Sequence, residues 1–325
     1  MFLLERVCPL GNVIVSVAFA FVLSTPALAA RRPAPTGDAP QYEALPLQRS
    51  PQNHLLVRAY INGKPAILGV DTGAPVSAIA TDRRTHFGLL PNGVNSTVPS
   101  RLLINGSFNS VSIARSLRLG TMNLVDEPLV AIDLGGGKAG QRALNEPEID
   151  GILGADILFP TKAVLDCNKQ LLVLKMDPRA RGNVPGFDYR GFHGVPMHLS
   201  AGYNLYVDGS INGRRAKLMV DTGAFTTLLH SRFLRQMKIP LRNTPFSSAG
   251  VNLKQRGVQL ATISRFSVGS LVMPSSDIGV INLEGLIHGG LLNATPPVAG
   301  LLGSEILHRY HGIIDFGTST LYLRQ

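Results

Sequence analysis

The second half of this 325-residue chain restates the first. Val70-Asp71-Thr72-Gly73-Ala74 returns as Val220-Asp221-Thr222-Gly223-Ala224, and Ile61-Asn62-Gly63 returns as Ile211-Asn212-Gly213, each displaced by 150 positions. Further on, Gly151-Ile152-Leu153-Gly154 returns as Gly300-Leu301-Leu302-Gly303, and Val164-Leu165-Asp166 as Ile313-Ile314-Asp315, displaced by 149. Solenoid repeats recur every ~20–50 residues, so a unit this long is a duplicated domain. Two similar lobes related by a pseudo-twofold axis are the expected arrangement.

Each half reads as short strands. Leu55–Ile61 and Leu205–Ile211 end at Asn-Gly, which marks a tight hairpin. Ala66–Val70 and Ala216–Val220 run straight into Asp-Thr-Gly, and Leu171–Leu174 and Leu321–Leu323 read as closing strands. Helical stretches are few: Ala155–Leu158, Ser231–Met237 and Ser304–His308. The 34 glycines and 22 prolines, with no tryptophan, favour many turns. Apolar residues make up 45% and charged residues 16%, enough apolar material for a core, which excludes a disordered or collagen-like chain. The expected fold is mostly β, with an N-terminal lobe over 51–177, a Pro- and Gly-dense linker over 178–194, and a C-terminal lobe over 195–325.

The first thirty residues read as a targeting segment. Val13–Leu23 is apolar apart from Ser16, and Pro26-Ala27-Leu28-Ala29 follows as a small-x-small cleavage pattern. The expectation is a signal peptide over 1–30 cut near Ala29 and a protein exported to a periplasmic or extracellular space. Membrane contact is expected only if the segment stays uncleaved. Residues 31–50 show no periodicity and are expected to be a flexible arm or a short pro-segment. Of the two cysteines, Cys8 would leave with the signal peptide, so Cys167 would have no internal partner.

The chemistry sits in the two Asp-Thr-Gly loops. A buried strand delivers an aspartate to a tight turn, and glycine lets backbone amides approach the carboxylate. If the lobes pack about a twofold axis, Asp71 and Asp221 meet. Two carboxylates about 3 Å apart cannot both ionise cheaply, so one keeps a proton. The ionised one can take a proton from water while the other donates to a substrate carbonyl, which hydrolyses an acyl bond without metal or covalent intermediate.

With these motifs the chain resembles the aspartic peptidases, both the two-lobed pepsin-like kind and the dimeric retropepsin-like kind, over about residues 52–325. The hydrophobic-hydrophobic-Gly triplets Ile152-Leu153-Gly154 and Leu301-Leu302-Gly303 match the family's second mark, which the resemblance places beneath the catalytic loops. It also implies that Asp71 and Asp221 are catalytic, that Thr72 and Thr222 cross-bond the loops, and that Gly73 and Gly223 shape them. A polypeptide substrate would bind extended between the lobes, a monomer would suffice, and no cofactor would be needed. A non-catalytic peptide-binding protein on the same scaffold is the alternative.

There are departures from pepsins. Ala74 and Ala224 stand where pepsins carry Ser or Thr, the lobes are short, and Pro75 follows the first motif. Lacking a hydroxyl donor at those alanines, the dyad should work in a weakly acidic range, roughly pH 4–6. Flap hairpins are expected at Val98–Val111 around Asn105-Gly106 and at Ser247–Leu260 around Gly250 or Arg256-Gly257.

Other signals carry bland readings. Gly135 to Gly140 fits G-x-G-x-x-G, but no βαβ unit surrounds it, so a surface loop is expected. Cys167 lacks a partner histidine and reads as structural. His308-x-x-His311 lacks a third ligand, so no metal is expected. A net charge of +10 invites a nucleic-acid reading, but aromatics are only 6% and form no RNA-binding pattern beside the arginines, so no nucleic-acid partner is expected.

Overall fold

The structure, a computed structural model, describes residues 41–91, 100–104, 107–134, 147–177, 184, 186–200, 204–250, 253–284, 286 and 298–325. The expected leader, the tip of the first flap at Asn105-Gly106 and the glycine-rich stretch 135–140 lie outside the described residues.

Each lobe is built on the same frame. Strand Leu55–Ile61 turns through Asn62-Gly63 into Lys64–Val70, with Ile61 opposite Lys64. Leu205–Ile211 turns through Asn212-Gly213 into Arg214–Val220 in the same way. All four turn residues have positive φ, between 47° and 82°, which fits the mirror-image turn that right-twisted hairpins favour. The strand entering each Asp-Thr-Gly is then flanked on its other side by a parallel partner. Lys64–Val70 pairs with Gly151–Leu153, and Arg214–Val220 with Val298–Leu302. Short strands Ala78–Ala80 and Leu228–His230 return antiparallel to those partners.

A sheet shared by both lobes lies beneath. Its order is Tyr42–Pro46, Leu171–Lys175, Val164–Asp166, Ile313–Asp315, Thr320–Leu323 and His193–Pro196. The pseudo-twofold passes through its middle pair, Leu165 opposite Ile314, both fully buried. At each edge a strand runs on into a lobe: Leu47–Arg49 pairs with Leu55–Val57, and Met197–Leu199 with Leu205–Val207. One hydrophobic cluster accordingly runs through both lobes, from Leu45 to Leu323.

This corrects the flexible-arm expectation for part of 31–50. Tyr42–Arg49 is a strand that joins two sheets. Its apolar alternation is only Leu45 and Leu47, which are buried, and Pro46 between them masks it in sequence. At the linker, the strand His193–Leu199 begins at the last two residues expected to be connector.

Three helical turns, Ala155–Leu158, Ser231–Gln236 and Ser304–Arg309, stand where sequence places them. Among the described residues no helix is long and apolar enough to cross a membrane.

Candidate active site

The catalytic-type loops sit where the duplicated strands end. The Asp71 N–H donates to the Leu153 carbonyl and the Asp221 N–H to the Leu302 carbonyl, both at 3.0 Å. The hydrophobic triplets therefore hold the start of each loop from below. Their glycines are required by space: a Cβ on Gly154 would lie 2.7 Å from the backbone of Val76, and one on Gly303 would collide with the backbone of Thr226.

The loops then cross. The Thr72 hydroxyl donates to the Val220 carbonyl at 2.8 Å and accepts the Thr222 N–H at 3.1 Å. The Thr222 hydroxyl donates to the Val70 carbonyl at 2.7 Å and accepts the Thr72 N–H at 3.0 Å. Both threonines are fully buried, so four backbone groups that water cannot reach are satisfied by two side chains of the opposite lobe. The same crossing puts each glycine against the other lobe's aspartate. A Cβ on Gly73 would stand 2.6 Å from Asp221 Cγ, and one on Gly223 would meet the Asp71 carboxyl.

Asp71 and Asp221 are thereby brought together and hydrogen-bond to each other. Asp71 Oδ1 accepts the Gly73 N–H at 2.8 Å, and Asp221 Oδ1 accepts the N–H groups of Gly223 and Ala224, each at 3.0 Å. Burial raises both carboxyls above the ordinary aspartate range. Asp221 is raised well above it, because the charge of Asp71 adds to burial. Asp71 is pulled back by the Gly73 amide and by His54. Of the two, Asp221 holds its proton the more tightly.

A supporting layer was not read from the sequence. Asp156 accepts the Ser77 N–H at 2.7 Å and hydroxyl at 2.6 Å, and the Ser77 hydroxyl accepts the Gly154 N–H at 2.9 Å. Glu305 accepts the Thr227 N–H at 2.7 Å, and the Thr227 hydroxyl accepts the Gly303 N–H at 3.0 Å. A carboxylate and a hydroxyl thus fasten each triplet to its loop. The signal was present: Ser77 and Thr227 obey the 150 offset, Asp156 and Glu305 the 149 offset.

Pro75 leaves the first loop in register. The Ala74 carbonyl accepts the Ala155 N–H at 2.9 Å, as the Ala224 carbonyl accepts the Ser304 N–H at 2.8 Å. Antiparallel hairpins stand at both expected flap positions, Arg101–Ile104 with Ser107–Leu119 and Arg242–Gly250 with Leu253–Ile263. Cys167 is buried and free, its thiol pushed up to about 12 by burial, so it is no nucleophile.

Comparison with known proteins agrees with this geometry. A family model described as aspartyl protease matches twice, at residues 57–157 and 207–306, once per lobe. A search of curated proteins finds no match. Among solved structures, an aspartic proteinase from Irpex lacteus superposes with a TM-score of 0.52 at 14% identity, covering 87% of this chain and 97% of the other. That likeness shows the fold, two lobes about a cleft. With two crossed Asp-Thr-Gly loops on that fold, and the family model matched over more than half its length, the chain belongs to the aspartyl protease family.

Proposed function

We propose that this protein is an aspartic-type endopeptidase that hydrolyses peptide bonds through a water activated by Asp71 and Asp221. The observation that carries the reading is the pair of carboxyls, each against the other lobe's glycine, held by reciprocal threonine bonds. Asp71, ionised, takes the proton from the attacking water. Asp221, protonated, donates to the carbonyl oxygen of the scissile bond. The tetrahedral intermediate, a gem-diol, collapses as the leaving nitrogen receives the proton that Asp71 took and one hydroxyl returns its proton to Asp221, which breaks the C–N bond and restores the dyad. Loops crossed this rigidly leave little freedom to lose when the reacting groups align.

The substrate is a polypeptide bound as a strand between the two flap hairpins by main-chain hydrogen bonds. No cofactor enters this chemistry. One chain carries both aspartates, and its two lobes are joined through a shared central sheet, which supports a monomer as the active species. The hydrophobic leader supports export with cleavage near Ala29.

Digestion of a peptide library by the wild type and by Asp221→Asn tests the reading. Cleavage by the first and none by the second, both folded, is expected. Peptides retained intact by a folded wild type would point to a binding protein instead.

A further inference from the structure

The residues that face the two aspartates from the neighbouring strand differ between the lobes. In the first lobe, Leu56 lies opposite Gly69 and Val57 opposite Leu68; two positions further the same register sets His54 opposite Asp71. In the second, Tyr206 lies opposite Met219 and Val207 opposite Leu218, which sets Asn204 opposite Asp221. His54, Asp71, Asn204 and Asp221 stand just beyond the ends of those paired strands, so this register is carried on from them.

Both positions are held by the same turn. The Ser50 N–H donates to the His54 carbonyl at 2.9 Å, and the His54 N–H to the Ser50 hydroxyl at 3.1 Å. The Ser200 N–H donates to the Asn204 carbonyl at 3.0 Å, and the Asn204 N–H to the Ser200 hydroxyl at 3.3 Å. The backbone is fixed, yet each side chain keeps one buried polar atom without a hydrogen-bond partner among the described residues, Nδ1 of His54 and Oδ1 of Asn204. The first turn also reaches the other lobe's catalytic loop, through Asn53 Nδ2 to the Phe225 carbonyl at 3.4 Å.

An unpartnered buried nitrogen is costly, unless a charge nearby gives it something to answer. Asp71 is that charge, and His54 acts on it as a positive group. The remaining charged groups at this turn are Asp221, bonded to Asp71, and Arg49. The Arg49 guanidinium is turned away to the carbonyls of Asn53 and Cys167, with His308 beyond it. An imidazole can carry a positive charge, and an amide cannot.

We propose that His54 is a positioning residue for the dyad's proton: its imidazolium faces Asp71 where the neutral Asn204 faces Asp221, and so keeps the negative charge on Asp71 and the proton on Asp221. The proposal rests on the peptidase reading for its consequence, since it decides which aspartate is base and which is acid. Its physical content is the order in which the two carboxyls ionise.

The test follows the carboxyl carbon-13 shifts of Asp71 and Asp221 with pH in the full chain, in wild type, His54→Asn, Asn204→His and the exchange of both, alongside pH profiles of kcat/KM on a cleaved peptide. In wild type Asp71 ionises first. In His54→Asn its ionisation and the acidic limb of kcat/KM move up by about one pH unit. The exchange makes Asp221 ionise first. Should His54→Asn not fold, Asn204→His alone decides, by lowering the ionisation of Asp221. Unmoved carboxyl titrations in folded variants would overturn the proposal. A wild type that cleaves nothing but shows these shifts would overturn the peptidase reading and leave the proposal standing.

Discussion

At the residue scale, the site is defined by contacts that leave no spare volume. Gly73 and Gly223 are not interchangeable with alanine, because the missing Cβ is where the other lobe's carboxyl stands. Gly223→Ala should push Asp71 out of line by a few tenths of an ångström or more. Misplacement on the scale of 1 Å costs about 100-fold in rate, so kcat should fall by up to that factor while KM changes little. Steady-state kinetics check this, and a Gly223→Ala enzyme with wild-type kcat would show that the loops are not packed as described. The threonine crossing explains why a hydroxyl and not Val serves: it donates and accepts at once, and both atoms it meets are buried backbone. These roles were legible from the motif and its repetition. His54 and Asn204 were not. They differ in type, so a search for matching residues passes over them, and only strand register puts them opposite the aspartates.

At the element scale, the strand Met122–Ile132 sets Glu127 near Asp156 of the helical turn Ala155–Leu158, a second pair of carboxyls behind the first loop. Glu127 is pushed up to about 7 by burial, with the nearby charge of Asp156 adding to it. Asp156 itself is the group that fastens Ser77. A carboxyl raised in the folded state binds its proton more tightly there than in the unfolded chain. Its stabilising effect is complete below the ordinary value of 4.5 and is lost as pH rises through about 7. Glu127→Gln removes that loss. Its melting temperature should exceed the wild type's by a few degrees at about pH 8 and match it near pH 4. Equal melting temperatures at both would mean that Glu127 is solvated. No sequence pattern announces this pair, because Glu127 reads as one more polar residue of an alternating strand. Helical turns and hairpins were legible because Asn-Gly and the short amphipathic runs are local signals. Tyr42–Arg49 was not, because what makes it a strand is two partners far along the chain.

At the scale of the whole molecule, duplication is the organising fact, and it was legible from offsets of 150 and then 149. The repeat could not show how the halves are joined. The answer is a continuous sheet whose middle strands, Val164–Asp166 and Ile313–Asp315, pair across the pseudo-twofold. On the proposed reading, two lobes tied covalently and by a shared sheet act without a second chain. Specific activity should therefore hold constant on dilution through nanomolar protein, and a second-order loss would mean that lobes pair between chains. The central claim is that Asp71 and Asp221 act as one unit. The most direct measurement is kcat/KM for Asp71→Asn, Asp221→Asn and the double variant, each checked for a wild-type melt. The account predicts that all three lose at least about 1,000-fold and agree with one another within a few-fold, since either aspartate alone has lost its partner. A single variant near wild-type activity, or losses that multiply in the double variant, would contradict it.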